Sequence, residues 1–329
     1  MTQETALSQG TPETMTYAAA VDATRQLIAR TLKQADPVFA DVTSHLAGEQ
    51  GKNLRAALLL ASSANHEGRI PADAVTAAAA LEILHLATLV HDDIIDEAPT
   101  RRGQPSVQSK FGKKTAVIGG DYLFCLCFTL LAGISAPYVD KYLSFARAMT
   151  SICVGELEQY KHNQDTSLSV MGYLRIIGGK TANLFTLAMY AGAVLSDAGE
   201  HEARLYGFIG HDIGMLFQLS DDCLDYEASS ETLKKKSNHD LTEGVVTLPL
   251  IYSFLQSPAL RERVGHWNLS AADVSDIIGE VLRLGGLNRS KDMAARYYGR
   301  ALKRIARLED QSRGRRIRSL LDRISHRRH

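Results

Sequence analysis

Apolar residues recur at three- and four-residue spacing along most of this chain, the pattern of helices that bury one face. No alternating strand pattern of convincing length interrupts it. The spacing predicts helices over residues 52–65, 72–95, 112–131, 140–162, 180–196, 200–226, 247–255, 271–283 and 290–307. Proline would remove a helical hydrogen bond, and none occurs between Pro137 and Pro249. The expected fold is therefore all-α, a large helical bundle forming a single domain over residues 1–329, because no linker rich in Pro, Gly or Ser divides it. Residues 1–15 are expected to be a flexible N-terminus, 227–243 a mobile loop and 313–329 a basic C-terminal tail. Segments 72–95 and 112–131 are apolar on more than one face. Such a helix lies inside a bundle or against a partner subunit, so a homodimer is expected.

Composition narrows the function. The chain holds 37 Lys and Arg against 37 Asp and Glu, with 45% hydrophobic residues. Zero net charge argues against a general nucleic-acid binder, which must neutralise many phosphates. Cys125, Cys127, Cys153 and Cys223 fall inside apolar helical segments without paired metal spacing, and are expected to be reduced core residues of a cytoplasmic protein. The polar start, residues 1–16, lacks the basic-then-apolar pattern of a signal peptide. No uninterrupted apolar stretch is expected to reach membrane-spanning length, and the chain reads as soluble.

Two motifs stand out: His91-Asp92-Asp93-Ile94-Ile95-Asp96-Glu97 and Ser220-Asp221-Asp222-Cys223-Leu224-Asp225. Each follows an apolar helical run. Residues four apart share a helix face, so Asp92 pairs with Asp96 and Asp221 with Asp225. Like charges at about 4 Å repel by about 1 kcal/mol in water and about 4 kcal/mol near a protein surface. Pro99 and the Lys-rich stretch after Glu227 place both motifs near helix C-termini, where the macrodipole disfavours anions. A cation must offset this, and oxygen-only ligands suit Mg²⁺ completed by water and substrate phosphates. A basic loop follows each motif: Arg101 and Arg102 between Pro99 and Pro105, and Lys234, Lys235 and Lys236 after the second. Metal sites with guanidinium groups beside them suit a diphosphate, and the apolar helices around them suit a hydrocarbon tail.

The order Gly51-Lys52-Asn53-Leu54-Arg55, His85, His91 to Asp96, Arg101-Arg102-Gly103 and Gly119-Gly120-Asp121-Tyr122-Leu123 resembles a trans-isoprenyl diphosphate synthase. Gly155-Glu156, Lys180-Thr181-Ala182, Phe217 to Tyr226 and Asp240-Leu241 through Thr247-Leu248-Pro249 continue the resemblance. It implies the isoprenoid synthase fold, a bundle around a central apolar cavity. It also implies that Asp92, Asp96 and Asp221, supported by Asp93, Asp222 and Asp225, hold two or three Mg²⁺ ions on an allylic diphosphate. Arg101, Lys180 and Lys235 would neutralise that diphosphate. Lys52, Arg55, His85 and Arg102 match positions that bind isopentenyl diphosphate, while Thr181 and Gln218 would steady the carbocation. The implied reaction ionises the allylic substrate, condenses it head-to-tail with isopentenyl diphosphate and eliminates a proton, with the departing diphosphate as base.

Several details depart from the family pattern. Ala56 stands where the family usually has Pro, and Val245 where it usually has Lys, so Lys234, Lys235 and Lys236 compete for the diphosphate contact. Short-chain members carry bulky aromatics four or five residues before the first Asp, whereas this chain has Ala87 and Thr88. The growing tail is expected to pass them and stop at Phe124 and Phe128, giving a product longer than farnesyl, in the hexaprenyl to decaprenyl range. Alternatives are a geranylgeranyl or farnesyl synthase, a catalytic subunit needing a partner, and a class I terpene cyclase. A cyclase leaves the second Asp-rich motif and the Lys52, Arg55, His85 set unexplained. A His-Asp phosphohydrolase leaves the second motif unexplained, and a di-iron protein wants a second Glu-x-x-His beside Glu82-x-x-His85. The Arg-rich end suggests peripheral membrane contact or, more simply, a solvated helical tail.

Overall fold

The computed structural model describes residues 14–48, 51–134, 139–196, 198–231, 239–267 and 269–326. In chain order these form β1 (Thr14–Met15), α1 (Tyr17–Lys33), α2 (Ala40–Ala47), α3 (Leu54–Ser62), β2 (Ile70–Pro71), α4 (Ala72–Ile95), β3 (Thr100–Arg101), β4 (Gln104–Pro105), α5 (Val107–Phe111) and α6 (Lys113–Ala132). There follow α7 (Val139–Lys161), α8 (Val170–Ile177), a π turn (Gly178–Ala182), α9 (Asn183–Leu195), α10 (Glu200–Glu231), α11 (His239–Thr242) and α12 (Leu248–Phe254). The chain closes with α13 (Pro258–Val264), α14 (Ala271–Arg283), α15 (Gly286–Ile305) and α16 (Gln311–Ser325). The strands are two-residue antiparallel ladders, β1 with β2 and β3 with β4. The expected all-α class holds.

Two compact units emerge, residues 1–143 with 188–206, and residues 144–187 with 207–329. In the first, α4 is the central helix, packed against α1, α3 and α6. Ala77 to Leu81, Ile83, Leu84, Ala87 and Val90 are all buried. Small side chains bring the neighbours close. In the same unit Gly192 on α9 has no room for a Cβ, because the Ser62 hydroxyl and Leu59 carbonyl of α3 occupy its place. In the second unit α12 is buried along its whole length and packs on α15, where Gly286 admits the Pro249 carbonyl. Ser169, Ser257 and Ser270 cap α8, α13 and α14 by accepting from backbone N–H groups, as short hydroxyl side chains do at helix starts.

Several expectations need correction. Residues 14 and 15 are not free but pair with Ile70 and Pro71. Helix α10 runs on to Glu231 and α11 begins at His239, because Ala228 to Glu231 contain no helix breaker. The second acidic motif therefore lies inside its helix, and the macrodipole penalty applies only to the first. The expected helix at 180–196 starts at Val170 and passes through a π turn. Helix α3 starts later than expected because Asn53 is left-handed, φ 45°. The C-terminal tail, expected to be helical, forms α16, capped by Asp310. Cys125 and Cys153 are exposed, on outward faces of α6 and α7, while Cys127 and Cys223 are buried. Helices α4 and α6 do reach membrane-spanning length and hydropathy, with window means of 1.5 and 1.7. Most of α4 is buried within its unit, whereas α6 leaves Val117, Ile118 and Phe128 exposed.

Filling the contact at Gly192 tests this packing. Gly192→Ala is expected to lower stability by about 1–3 kcal/mol, the usual range for overpacking. A urea midpoint matching wild type would contradict the close approach of α3 and α9.

Candidate active site

In the first unit, the end of α4 and the hairpin after it are tied together by the middle residue of the acidic motif. Asp93 is 2% exposed and accepts from Arg101 Nε at 2.7 Å, with Arg101 Nη2 at 2.6 Å from the same oxygen. The Asp93 carbonyl also accepts from Ala98 N–H at 2.9 Å. A helix turns about 100° per residue, so Asp93 faces away from the stripe shared by Asp92 and Asp96. Asp92 is half-buried and Asp96, the last-turn cap, is exposed. Arg101, expected to meet a diphosphate, thus anchors the hairpin to Asp93.

That hairpin turns at Arg102 and Gly103, both with positive φ, 51° and 80°, as a tight two-residue hairpin turn requires. The turn lays the Arg102 guanidinium over Gly51, where a Cβ would sit 2.8 Å from it. Arg55 and Arg102 both act on Glu82 and His85 of α4. Burial raises the Glu82 pKa, and Arg55 and Arg102 oppose this. Burial, then Arg55, Arg102 and Arg101, push His85 well below its ordinary value. His85 is therefore a neutral imidazole at physiological pH. Glu82 also accepts from Ala56 N–H at 2.8 Å, tying α4 to α3. The structure brings Arg55, His85 and Arg102 together as expected, while Lys52 is exposed at the start of the same segment. His91 fills the space that Gly120 leaves open. It lies 3.2 Å from the Val117 carbonyl and 5.4 Å, centroid to centroid, from Phe124.

The product-length residues divide. Ala87 is fully buried, and Thr88 is half-buried with its hydroxyl donating to the His85 carbonyl at 2.8 Å. Phe128 is 44% exposed. The inner face of α6 is Ala116, Gly119, Gly120, Leu123, Cys127 and Leu131, and Phe128 lies one helical step outside it.

The second motif repeats the arrangement. Asp222 is 3% exposed. One of its oxygens accepts from Gln218 Nε2 at 2.8 Å and the other from the Tyr173 hydroxyl. Thr181 in turn donates its hydroxyl to Gln218 Oε1 at 2.7 Å. Burial pushes Asp222 up to about 6, helped by Asp221 and Asp225 and opposed by the Tyr173 and Gln218 hydrogen bonds. Asp221 and Asp225 are half-buried on the adjacent stripe. Asp240, from α11, is also raised well above the ordinary range, first by burial and then by Asp222 and Asp225, with Lys180 opposing.

Glycines make these contacts possible. Gly214 lies against Ala182 so closely that a Cβ would sit 2.5 Å from its Cα. Gln218, one turn further along α10, is thereby brought to Thr181. Gly155 of α7 meets the Lys180 backbone with the same closeness, and Lys180 pairs with Glu156 at 2.8 Å. The π turn presents Lys180 and Thr181, as such bulges often do at functional sites. Tyr173, Glu156 and Asp240 were not among the site residues read from the sequence. Glu156 and Asp240 carried a signal only as parts of the family motifs and a Tyr on a helix face carries none, so only the partner across the unit gives each a role. Lys235, expected at a diphosphate, lies outside the described residues, as do Lys234 and Lys236.

Buried Asp222 and Asp240, each raised further by neighbouring carboxylates and with oxygen donors only, fit a divalent cation. Among the described residues no three His, Cys, Asp or Glu side chains form a metal cage by themselves. Two carboxylates per stripe leave positions for water and phosphate oxygens.

Known proteins agree with this chemistry. A sequence model of the polyprenyl synthetase family matches residues 36–281, and the chain belongs to that family: it is a trans-prenyltransferase, a prenyl diphosphate synthase. It is 32% identical to a nonaprenyl diphosphate synthase of Mycobacterium tuberculosis, over 93% of both chains. It is 31% identical to component 2 of the heptaprenyl diphosphate synthase of Bacillus subtilis, over 87% of this chain and 81% of that one. A Caulobacter crescentus polyprenyl synthase, solved with calcium and isoprenyl diphosphate, is 30% identical and aligns over 95% of this chain and 96% of its own with a TM-score of 0.84.

The hydrogen-bond chain from Tyr173 to Thr181 makes a measurable claim. Tyr173→Phe removes one donor to a buried carboxylate, worth about 1.5–3 kcal/mol for a charged partner. The expected result is a fall in kcat of about ten- to a hundredfold with KM for isopentenyl diphosphate unchanged. A change confined to KM would show that the hydroxyl does not act through Asp222.

Proposed function

We propose that this chain condenses an allylic prenyl diphosphate with isopentenyl diphosphate, head-to-tail, to an all-trans product of six to ten isoprene units. The reading is carried by the cluster of Arg55, His85 and Arg102 beside the first acidic motif. A second cationic site is needed by an enzyme that binds two diphosphates and is superfluous for a cyclase. The names of the nonaprenyl and heptaprenyl relatives, and Ala87 and Thr88 in place of aromatics, support the long product.

In this reading Asp92 and Asp96, and Asp221 and Asp225, supply the metal ligands, with Asp93 and Asp222 as their buried supports. Bound Mg²⁺, two or three ions, would neutralise the allylic diphosphate and make it a better leaving group. Lys180 adds positive charge from the π turn. Arg55, Arg102 and Lys52 bind isopentenyl diphosphate, and neutral His85 donates a hydrogen bond without adding charge. Thr181 gives its proton to Gln218, so its oxygen lone pairs are the dipole it can offer a carbocation. No side-chain base is required, because the departing diphosphate accepts the proton.

Incubation with labelled isopentenyl diphosphate, farnesyl or geranylgeranyl diphosphate and Mg²⁺ tests the reading through product length. Asp92→Asn and Asp221→Asn are each expected to lower kcat on the order of a hundredfold or more. Thr88→Phe is expected to shorten the product, since Thr88 keeps open surface that buried Ala87 lacks. Absence of elongation with every primer would exclude an active synthase of one chain alone.

Assembly is part of the proposal. Val117, Ile118 and Phe128 make an exposed apolar stripe on α6, and a second copy of this chain is the proposed cover. Ile118→Asp is expected to convert a dimer to a monomer in light scattering. The name "component 2" for the Bacillus relative supports one other reading, a heteromeric enzyme. Elongation that appears only when a second polypeptide is added would favour it.

A further inference from the structure

Charge is distributed unevenly along the chain. From Gly286 onward it holds 14 Lys and Arg against four Asp and Glu, which leaves 23 against 33 for the preceding residues. The net charge of zero therefore conceals a segment of about +10 on an acidic remainder. Its described part, residues 286–326, forms the hairpin of α15 and α16, packed within one unit.

The hairpin separates its chemistry cleanly. Ile317, Leu320, Leu321 and Ile324 point inward from α16. Arg313 does too, paired with Asp310 at 3.1 Å. Outward face Arg296, Lys303 and Arg307 from α15 and its exit, and Arg315, Arg318 and Arg323 from α16, all exposed. Arg315, Arg318, Ser319, Asp322, Arg323 and His326 line a shallow groove of about 410 Å³. Asp322 is its one acid, and it accepts from the Tyr298 hydroxyl at 2.7 Å. No large apolar side chain is exposed on α15 or α16.

We propose that the outer face of this hairpin docks the enzyme on an anionic phospholipid bilayer, with lipid phosphates against Arg315, Arg318 and Arg323. The argument rests on the prenyl diphosphate synthase reading, because a product with six or more isoprene units leaves for a membrane rather than for water. Charge complementarity selects the partner. Each Lys or Arg near an anionic leaflet tightens binding about fivefold, within a Debye length. With no apolar side chain to insert, the contact is electrostatic and reversible. Nucleic acid would also attract the face, but nothing in the activity calls for it.

The test is flotation of the full-length, unliganded chain with phosphatidylcholine vesicles, with and without about one third phosphatidylglycerol. At low ionic strength the anionic vesicles are expected to bind at least about tenfold tighter and to release the protein as salt rises. The combined variant Arg315→Glu, Arg318→Glu, Arg323→Glu should lose this preference, and the Gln equivalents should weaken it. All three residues face solvent, so circular dichroism and elongation of a short, water-soluble primer should match wild type. Equal binding to both vesicles, binding to neither, retention by the triple variant or stronger binding to duplex oligonucleotide would each overturn the proposal. Vesicle binding is read without substrate, so a chain that docks but elongates no primer would count against a synthase of one chain alone and leave the surface intact.

Discussion

Like-charge repulsion within each Asp-Asp-x-x-Asp motif is the constraint around which the rest of the structure is arranged. Three carboxylates within two helical turns cannot all be left to solvent or to one metal without cost. The fold answers the same way twice. The middle carboxylate is turned inward and given protein donors: Arg101 for Asp93, and Tyr173 with Gln218 for Asp222. The outer two stay on an accessible stripe. An unpaired buried carboxylate would cost several kcal/mol, so these donors are structural necessities before they are anything else.

The same contacts also carry information away from the motifs. Fixing Asp222 orients the Gln218 amide, because its N–H₂ must face the carboxylate. Its carbonyl then faces Thr181, and the Thr181 hydroxyl must donate. One buried charge thus sets the polarity of a residue on another helix. In the first unit, Arg101 on Asp93 fixes the hairpin, and the hairpin places Arg102 over Gly51 beside Arg55 and His85. The proposed metal ligands and diphosphate donors are therefore positioned by the same ion pair.

Close backbone approach is the second requirement. Gly120, Gly155, Gly192 and Gly214 each stand where any side chain would strike a neighbouring helix. Short-range donors such as Thr181 and Gln218 meet only because α10 lies directly on the π turn. The apolar surface left outside, on α6, and the basic surface on α15 and α16 belong to a different problem, that of what the enzyme touches.

Much was legible before any coordinates. Periodicity marked the principal helices because a buried face leaves a repeating trace, and the pairing of Asp92 with Asp96 and Asp221 with Asp225 follows from helical geometry alone. Family resemblance supplied Arg55, His85, Arg102, Thr181 and Gln218 as candidates. Helices α1 and α8 were not foreseen, since polar or short segments carry weaker periodicity. Helical spacing set Asp93 and Asp222 off the stripes of their neighbours, but it could not name the donors that bury them, Arg101 for one and Tyr173 with Gln218 for the other. Nor does proximity in sequence say which way a side chain faces, so the pairing of Arg101 with Asp93 and the exposure of Phe128 came only from the structure. What the chain alone determined was the set of helices and the chemistry they carry. Tertiary structure decided which carboxylates are exposed and which are bound within the protein, because burial and hydrogen-bond partners come from residues far apart in the chain.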